Sequence, residues 1–443
     1  MDVMAQPRLA VALLCATALL HCQEPAAPDL EYLDNGVLRV GLSRQHGGSL
    51  AYLSRSGVDD NLVNVHDLGR YVQQSYYSGP KPFLPEGATM HAGWPGWGWN
   101  PIQAGDVHGN QPRLLSMQRD GDVLRVRCVP MQWALDGVAG DCVLETRVRL
   151  DANRVHLETR LENARADKTR YPAQHQELPA VYTIGRLHRL FTYTGTKPFE
   201  DDALTEIVNA GPPWQYWTST ECWSALVDDA GFGIGVFHPG ALQTVGGFHG
   251  TKGRGGPRDG STGYIAPLHT EVLDHDIVYE ARATLVVGDL QKDIRAYAKS
   301  QRFDPRPRFD FAKDRAHCVP FRLQDDAPPY EGSWRLSLDQ DDPHIVTAPV
   351  HYDAKKAPKL YLRAAYRSKG REGELFFAPP GGEFDRERRV TFRIKPDGQM
   401  RTYEIDLSRH PLYTGVIGQL RLDPVVERSE GDRVDLEWLR AQK

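Results

Sequence analysis

Cysteine is scarce in this sequence: only six of 443 residues are cysteine, and no two of them are separated by just two residues. Zinc centres built on cysteine usually need such closely spaced pairs, so the sequence excludes a cysteine-rich metal centre. Cys15 and Cys22 lie near the N-terminus, in or just after an apolar run. Cys128 and Cys142 flank a predicted hairpin turn at Asp136-Gly137, and an oxidising compartment could join them in a disulfide. The strand register that would decide this pairing is left open by the sequence.

A surplus of positive charge is also missing. Lys and Arg number 53 against 58 Asp and Glu, the formal net charge is -5, and no long basic stretch occurs. Nucleic-acid backbones are bound by clustered Lys and Arg, so no nucleic-acid partner is expected. The HExxH, GxSxG and Walker motifs are absent as well. GFGIG (Gly231–Gly235) is interpreted as part of a hairpin, because no strand–turn–helix unit surrounds it.

Long apolar runs are limited to one, Leu9–Leu20, which follows Arg8. This run is long enough for the hydrophobic region of a signal peptide but short for a membrane span. We therefore predict a signal peptide over residues 1–23, no transmembrane span, and export to the periplasm, the cell surface or the medium. Cys22 stands where a bacterial lipoprotein carries its lipidated cysteine, although His21 is an unfavourable residue directly before it. A lipid anchor at Cys22 is the second expectation for this segment.

Helical periodicity is almost absent, and alternation of apolar and polar residues takes its place. Val123–Val129, Val143–Leu150 and Arg154–Leu161 alternate with a period of two, which is typical of half-buried strands. Turn signals separate these segments at short intervals, so we predict an all-β chain of antiparallel sheets. The one convincing helix is predicted over Asp289–Gln301.

A Pro-rich segment, Phe303–Phe311, follows this helix and predicts a domain boundary. Pro305 and Pro307 disfavour helix and stiffen the chain as a linker. We therefore predict a large domain over residues 29–302, a linker over 303–317 and a smaller strand-rich domain over 318–443.

Aromatic and polar residues concentrate in four blocks of the large domain. The blocks are Asn61–Pro80, His91–Asn110, Tyr171–Tyr182, and a last one that runs from Pro212–Trp223 through Gly231–Pro239 to Gly247–Gly250. A sugar has an apolar CH face and a rim of hydroxyls, so a site for it combines aromatic platforms with amides, carboxylates and Arg. The blocks supply this mixture and predict a sugar-binding cleft. The alternative is that the tryptophans cover a small subsidiary core.

The candidate catalytic residues lie in the third and fourth blocks. Glycosidic cleavage commonly uses two carboxyl groups, and Glu177 and Glu221 both have aromatic residues around them in the sequence. His175 is a candidate proton shuttle. Tyr182 is a candidate base for elimination, with Arg70 neutralising a uronate.

The predicted sugar-binding residues share aromatic, amide or charged side chains within or beside the four blocks. They are Arg70, Gln74, Tyr76, Tyr77, Trp97, Trp99, Asn100, Asp106, Trp217, Trp223 and His249. No cofactor is expected. The pairs His66-Asp67 and Asp106 with His108 leave calcium or zinc binding open as a minor alternative.

The chain from about Leu30 to Val287 resembles the galactose-mutarotase-like superfamily. Gly36–Asn64 is similar to the opening strands of that superfamily, with a Gly-rich turn and a later asparagine-leucine pair. Leu161–Tyr182 corresponds to the segment that carries a catalytic histidine in mutarotases, and His175 is the nearest match. The resemblance implies a large antiparallel β-supersandwich and a carbohydrate function. The His-Pro-Tyr-Phe segment of mutarotases is missing from this sequence, so the resemblance does not imply that the protein catalyses mutarotation.

The C-terminal part resembles the galactose-binding-like jelly rolls appended to many bacterial glycan enzymes. The segments that carry this resemblance are Gly332–Gln340, Tyr403–Ser408, Gly415–Pro424 and Arg433–Leu439. It implies a smaller β-sandwich whose role is either carbohydrate binding or structural.

The function expected from these features is that of an exported enzyme that cleaves a poly- or oligosaccharide substrate. Hydrolysis by Glu177 and Glu221 stands slightly ahead of elimination by a polysaccharide lyase. A non-catalytic glycan-binding protein and a sugar epimerase remain as alternatives.

Overall fold

The structure is a computed structural model that describes residues 30–208 and 211–443. The predicted signal peptide and the predicted lipidation site at Cys22 lie outside the described residues. Within those two ranges, no helix is both long enough and apolar enough to cross a membrane. Strands account for 45% of the described residues and helices for 3%, which confirms the predicted all-β class.

The first part of the described chain, from residue 30 to 289, consists of strands joined by turns and loops. The strands are β1 (Leu30–Asp34), β2 (Leu38–Ser43), β3 (Leu50–Arg55), β4 (Val72–Ser75), β5 (Pro101–Ile102), β6 (Arg113–Asp120), β7 (Val123–Val129), β8 (Met131–Gln132), β9 (Cys142–Asp151), β10 (Arg154–Asn163), β11 (Gln174–Ile184), β12 (Arg189–Thr192), β13 (Thr205–Ile207), β14 (Gln215–Thr218), β15 (Trp223–Val227), β16 (Phe232–Phe237), β17 (Gln243–His249), β18 (Thr262–Glu271) and β19 (Val278–Asp289).

These strands form two antiparallel sheets that pack face to face, which we call the N-terminal sandwich. The cleft sheet has the order β1-β2-β3-β4-β11-β18-β17-β14, with β5 and β8 attached at β4. The back sheet has the order β13-β12-β15-β16-β19-β10-β9-β7-β6. Leu42 and Val181 of the cleft sheet meet Val148 and Leu285 of the back sheet in one buried cluster. Burial of this apolar surface holds the two sheets together.

The alternation seen in the sequence explains the back sheet directly. In β10, every second residue from Val155 to Asn163 is buried, while residues between them are partly or fully exposed. One face of the strand therefore packs against the cleft sheet and the other faces solvent. β4 differs, because all four of its residues are buried. Loops cover its outer face, so its composition does not show which side chains point into the core.

A short helix follows the last strand of the N-terminal sandwich. It begins as a π-helical segment, Leu290–Arg295, and continues as α1, Ala296–Ser300, within the predicted range. The side chain of Asp289 caps it by accepting hydrogen bonds from the backbone N–H groups of Gln291 and Lys292. Its apolar face packs on the outer surface of the back sheet, next to Trp223.

The second part of the chain forms further strands and one short 3-10 helix, Ala354–Lys356. The strands are β20 (Arg308–Asp310), β21 (Val319–Phe321), β22 (Gln324–Asp325), β23 (Trp334–Ser337), β24 (His344–Val346), β25 (Tyr352–Asp353), β26 (Lys359–Arg367), β27 (Glu372–Ala378), β28 (Arg389–Arg393), β29 (Arg401–Asp406), β30 (Val416–Ile417), β31 (Gln419–Asp423) and β32 (Arg433–Arg440).

These later strands form a second, smaller sandwich, which we call the C-terminal sandwich. One sheet has the order β22-β23-β32-β26-β29 with β20 attached to β32, and the other has the order β21-β24-β31-β27-β28. A separate buried cluster fills the space between them, and it includes Trp334 and Tyr413. Trp334 donates a hydrogen bond from Nε1 to Asp325 at 2.8 Å and is fully buried, so it is a core residue. The jelly-roll resemblance of this unit stays a prediction.

The predicted disulfide between Cys128 and Cys142 is not formed, since both cysteines are free, buried thiols. They lie on the neighbouring strands β7 and β9, but the register places Cys128 opposite Leu144. The two cysteines are therefore offset by two residues along the strands instead of facing each other. Burial raises the pKa of both thiols, Cys128 to about 12, which makes them unreactive.

The two sandwiches are joined by a buried ion-pair network centred on Arg315. Its guanidinium lies 2.7 Å from Asp274, in the connection between β18 and β19, and 2.7 Å from Asp325 of the C-terminal sandwich. Arg170, from the N-terminal sandwich, pairs with the same Asp325. Burial alone would lower the pKa of Arg315, but the two carboxylates hold it above its ordinary value.

This network yields a stability prediction. Arg315→Met leaves Asp274 and Asp325 short of their buried cation, and breaking such a pair costs about 3–5 kcal/mol. We expect a correspondingly lower denaturant midpoint, measured by chemical unfolding. The control is Arg367→Met, which removes the exposed pair with Asp435 at 2.8 Å and should cost less than about 1 kcal/mol. Equal losses in both variants would show that the Arg315 network does not hold the sandwiches together.

Candidate functional site

The candidate site is a cleft of about 680 Å³ on the outer face of the cleft sheet. Its floor is made by the adjacent strands β4, β11, β18 and β17, and loops before and between the strands form its walls. The lining residues are Asp67, Gly69, Arg70, Gln73, Ser75, Tyr77, Trp94, Trp97, Asn100, Ile102, Trp133, Gln174, His175, Glu177, Ala180, Tyr182, Pro212, Pro213, Trp214, Tyr216, Val245, His249, Thr262 and Tyr264.

Glu177 lies on the floor of this cleft. Tyr77 donates a hydrogen bond to its Oε2 at 3.0 Å, and the Tyr264 hydroxyl donates a second one. Burial raises the pKa of Glu177, and these two hydrogen bonds only partly oppose the shift. The carboxyl group therefore keeps its proton to a higher pH than an ordinary glutamate, which suits a general acid.

A β-bulge in β11 brings Glu177 and Tyr182 to the same face. Glu177 pairs with Leu268 and Val181 with Ile265, so four steps along β11 match three steps along β18. In a regular strand an odd and an even residue would point to opposite faces. The extra residue reverses the alternation, and both side chains line the cleft.

A group of tyrosines surrounds Glu177. The rings of Tyr182 and Tyr264 stack with centroids 4.5 Å apart, and Trp214 packs against Tyr264 at 5.1 Å. Burial, followed by the nearby charge of Glu177, raises the pKa of Tyr77, Tyr182 and Tyr264. These hydroxyls therefore stay protonated and act as hydrogen-bond donors. The hypothesis that Tyr182 is a base is disfavoured for the same reason.

Arg70 forms one wall of the cleft, held by contacts on two sides. Its Nε lies 3.0 Å from a carboxylate oxygen of Asp67, and its Nη1 donates to the Asn64 side chain at 3.2 Å. The same nitrogen donates to the backbone carbonyl of Asp259 at 3.2 Å. The next residue, Tyr71, has a φ of 73°, a left-handed conformation that is strained for a residue with a side chain.

His175 lies at one end of the cleft, beside Glu177 on β11. Its Nδ1 forms a hydrogen bond of 2.9 Å with Thr270 Oγ1 on β18, and its ring packs near Tyr216 at 5.9 Å. Burial lowers the pKa of His175, so the imidazole stays neutral over a wider pH range. A neutral imidazole can accept a proton. His249, at the end of β17, also lines the cleft.

Tryptophans form the wall opposite β17 and β18. Trp94 packs edge-on against Trp97 at 4.7 Å and against Trp133 at 5.8 Å. Trp97 Nε1 donates to Asn100 Oδ1 at 3.0 Å, and Asn100 in turn donates to the carbonyl of Tyr76 at 2.7 Å. Asn100 therefore fixes the tryptophan loop in place as well as lining the cleft.

Two predicted sugar contacts of the first block, Gln74 and Tyr76, have side chains that point away from the cleft. Gln74 donates to the Glu145 carbonyl at 2.9 Å and to Thr146 at 2.7 Å, which are on the back sheet. Tyr76 is fully buried and donates to Gln74. Both side chains lie between the sheets, so their prediction as sugar contacts was wrong, while Gln73 and Ser75 occupy the cleft face.

Three predicted tryptophan contacts are core residues instead. Trp99 is 1% exposed and donates to Asp141 at 2.9 Å. Trp217 donates to Ser224 at 3.1 Å within the core between the sheets. Trp223 is buried beneath the helix on the other side of the back sheet. None of them lines the cleft, so for these three the interpretation as core residues holds.

Asp106 is also a structural residue rather than a sugar contact. Its two carboxylate oxygens accept hydrogen bonds from the backbone of His108 and Asn110, the Asn110 side chain and the backbone of Gly137. These donors occupy the oxygens that a cation would need, so the residue does not fit a metal ligand. Over residues 30–208 and 211–443, no cluster of three or more His, Cys, Asp or Glu side chains could hold a metal ion.

Glu221, the predicted partner of Glu177, does not line the cleft. It is fully buried and accepts hydrogen bonds from Phe199 N at 2.7 Å and Trp223 Nε1 at 2.9 Å. The guanidinium of Arg295, from the helix, lies 3.7 Å away. Glu221 therefore anchors the helix and a surface loop to the back sheet, and the predicted pairing of the two glutamates was wrong.

Several cleft residues were missed in the sequence. Trp94, Trp214 and Tyr216 belong to the four polar-aromatic blocks. They would have been predicted as sugar contacts if every aromatic residue of these blocks had been taken as a candidate. Asp67 was considered only as a metal ligand. Tyr264 had no local signal, because it is one aromatic residue in an apolar strand.

Comparisons with known proteins found solved structures that are similar over 58–60% of this chain. No family model matches the chain, and no curated protein sequence matches it. Among solved structures, it is similar to a galactose mutarotase related enzyme from Lactobacillus acidophilus (10% identity, 60% of this chain, 99% of the other, TM-score 0.38). It is also similar to a galactose mutarotase-like protein from Lactobacillus casei ATCC 334 (10%, 58%, 99%, TM-score 0.34). A third is the GH36 alpha-galactosidase AgaB from Geobacillus stearothermophilus (10%, 58%, 39%, TM-score 0.34).

All three TM-scores lie below 0.5, so these similarities carry no argument about superfamily or chemistry. The structure itself shows two stacked antiparallel sheets, and the galactose-mutarotase-like resemblance stays a prediction from the sequence. The chemistry of the cleft therefore depends on its own residues.

The raised pKa of Glu177 gives a second prediction. The folded protein holds this proton more tightly than the unfolded chain, so the ionised form costs stability once the pH rises through the folded-state pKa. Glu177→Gln removes that cost and should have a higher Tm than the wild type at alkaline pH. The difference should vanish below pH 4.5, the ordinary value, when both states are protonated.

The measurement is thermal unfolding of both proteins across this pH range. Glu86→Gln, at an exposed loop position, serves as the matched control and should show no such pH-dependent difference. A Glu177→Gln variant that is less stable than the wild type at alkaline pH would contradict the assigned environment.

Proposed function

We propose that this protein is a carbohydrate-active enzyme that cleaves a poly- or oligosaccharide, with Glu177 as the proton donor. The observation that carries the proposal is the setting of Glu177: a carboxyl group with a raised pKa on the floor of an aromatic-lined cleft. Protonation of a glycosidic oxygen needs such a group.

The walls of the cleft supply the groups that bind sugars. Trp97, Trp214 and Tyr216 offer aromatic surfaces for the apolar faces of sugar rings. Gln174, exposed at the start of β11, offers an amide that can donate to and accept from hydroxyl groups. This combination supports a saccharide as the ligand more strongly than an apolar small molecule.

Hydrolysis needs a second carboxylate, and Asp67 takes the place that Glu221 cannot fill. Asp67 and Glu177 are the two acidic residues among the described lining residues of the cleft. In this mechanism Glu177 gives its proton to the leaving oxygen. Asp67, paired with Arg70, either takes a proton from the attacking water or attacks the sugar carbon itself.

Elimination is the second candidate, supported by Arg70 and His175. Arg70 would bind a uronate carboxylate, and the neutral imidazole of His175 would remove the proton beside it. Glu177 would then protonate the leaving oxygen. Tyr182 is a weaker base because burial raises its pKa.

A glycan-binding protein without catalysis would use the same aromatic walls, and a sugar epimerase would also need the acid. The raised pKa of Glu177 supports an enzyme over a binding protein, since carboxyl groups with shifted pKa values cluster at catalytic sites. Export belongs to the proposal too and is supported by the apolar run Leu9–Leu20 after Arg8. Fractionation of cells and the mass of the mature chain would test it, including lipidation at Cys22.

The experiment for the reaction is a screen of the mature protein against plant, algal and bacterial polysaccharides. New reducing ends and the ultraviolet absorbance of unsaturated uronates are followed together. Reducing ends without absorbance indicate hydrolysis, and reducing ends with absorbance indicate elimination. No product from any glycan would contradict cleavage.

For the polysaccharide that is cleaved, Glu177→Gln should lower kcat by about 10²–10⁴-fold, because the amide cannot give up a proton. KM should change little, since the amide still accepts the hydrogen bonds of Tyr77 and Tyr264. Glu221→Gln is the matched control: it should lower Tm, through loss of contacts with Arg295 and Phe199, and leave kcat of the folded protein unchanged. The opposite pattern would assign the proton donor to Glu221.

A further inference from the structure

A second cavity, of about 820 Å³, lies where the C-terminal sandwich packs against the cleft sheet. We call it the groove. Its lining residues are Arg170, Tyr171, Pro172, Ala173, His175, Gln243, Thr270, Val272, His317, Val319, Pro320, Phe321, Arg322, Leu323, Gln324, Gln340, Val346, Thr347, Ala348, Pro349 and Gln419.

The groove and the cleft share one floor. On β18, Tyr264 lines the cleft and Thr270 lines the groove, and both point to the same face because they are an even number of residues apart. On β17, Val245 likewise lines the cleft and Gln243 lines the groove. His175 lines both cavities and bonds to Thr270 at 2.9 Å, so it marks the passage between them.

The distance along this floor exceeds the reach of a single sugar ring. Six residues of extended strand separate Tyr264 from Thr270, which corresponds to roughly 20 Å. A ligand that occupied both cavities would therefore be a chain of several sugars.

The wall of the groove opposite this floor comes from the C-terminal sandwich. Phe321 is 44% exposed, with its ring stacked on His344, and so offers an aromatic surface. Gln324 and Gln419 add amides, and Arg322 adds an exposed cation. The lining of the groove includes no Asp or Glu. These groups match the hydroxyl rims and apolar faces of sugars, as in the cleft.

We propose that the groove is the distal part of the same binding site, and that the substrate is a glycan chain that runs from the cleft, past His175, into the groove. The C-terminal sandwich thereby supplies one wall of the extended site. This inference rests on the proposed function and names its substrate class: a polymer or long oligosaccharide, in preference to a mono- or disaccharide.

The Arg315 network gives this arrangement its rigidity. Arg315 and Arg170 tie Asp325, next to Gln324, to the N-terminal sandwich. His317, in the wall, pairs with Glu271 of β18 at 2.8 Å. The wall is thus fixed relative to the floor before a ligand binds, which lowers the cost of ordering a chain across both units.

The experiment is hydrogen–deuterium exchange of the Glu177→Gln protein, in which turnover is slowed, with polygalacturonate, alginate, xylan, laminarin and chondroitin sulfate. Each polymer is compared with its disaccharide at equal sugar concentration. We expect at least one polymer to protect residues 91–100 and 174–182 of the cleft together with 319–324 and 346–349 of the groove. Its disaccharide should protect the cleft alone.

Protection of the cleft alone by every polymer that binds would overturn the inference and leave the proposed function standing. Protection of the groove without the cleft would overturn it too, because the two would then be separate sites. No protection of the cleft by any of these glycans would contradict the proposed function, and the inference with it.

Substitutions in the wall give an independent measurement. Phe321→Ala/Arg322→Ala, made in the Glu177→Gln protein, should weaken the affinity for the protecting polymer by about tenfold, the effect of losing roughly 1.4 kcal/mol. Affinity for the disaccharide should stay the same. Val426→Ala/Arg409→Ala removes an exposed apolar and an exposed cationic side chain elsewhere on the C-terminal sandwich and should change neither. Equal affinities of all three proteins for the polymer would also overturn the proposal.

Discussion

The buried guanidinium of Arg315 is the interaction on which the relation between the two sandwiches depends. Each sandwich has its own apolar core, so neither needs the other to bury its hydrophobic residues. A buried cation, by contrast, is satisfied in one arrangement only, with Asp274 on one side and Asp325 on the other. Apolar contact between the units would tolerate sliding. The ion pairs do not, and the groove between the units therefore has a defined shape.

Much of the fold could be predicted from the alternation of residues. Strands such as β10 have one face in the core and one in solvent, so their sequence shows both the strand and its orientation. The helix before the linker was equally visible, because its apolar residues recur at helical spacing. The cysteine pair shows the limit of this approach. Its outcome depended on a register offset of two residues, which only the paired strands define.

The candidate site could be predicted in its location but only partly in its members. The blocks rich in aromatic and polar residues do surround the cleft, yet β4 is covered on both faces, and its composition does not show which of Gln73 and Gln74 points outward. The two glutamates illustrate the same difficulty. Glu177 and Glu221 have similar neighbours in the sequence, but one lies on the cleft sheet and the other supports the helix behind the back sheet. That difference arises from tertiary packing and has no local signal.

The bulge in β11 has a consequence for how this site could evolve. Because one additional residue determines which face Glu177 and Tyr182 share, the contents of the cleft depend on the length of this strand as much as on its residues. Loss of that residue would send one of the two side chains into the core and present a different neighbour to the ligand. Insertions and deletions in this short segment are therefore a route by which the same scaffold could acquire a different set of reacting groups without any substitution.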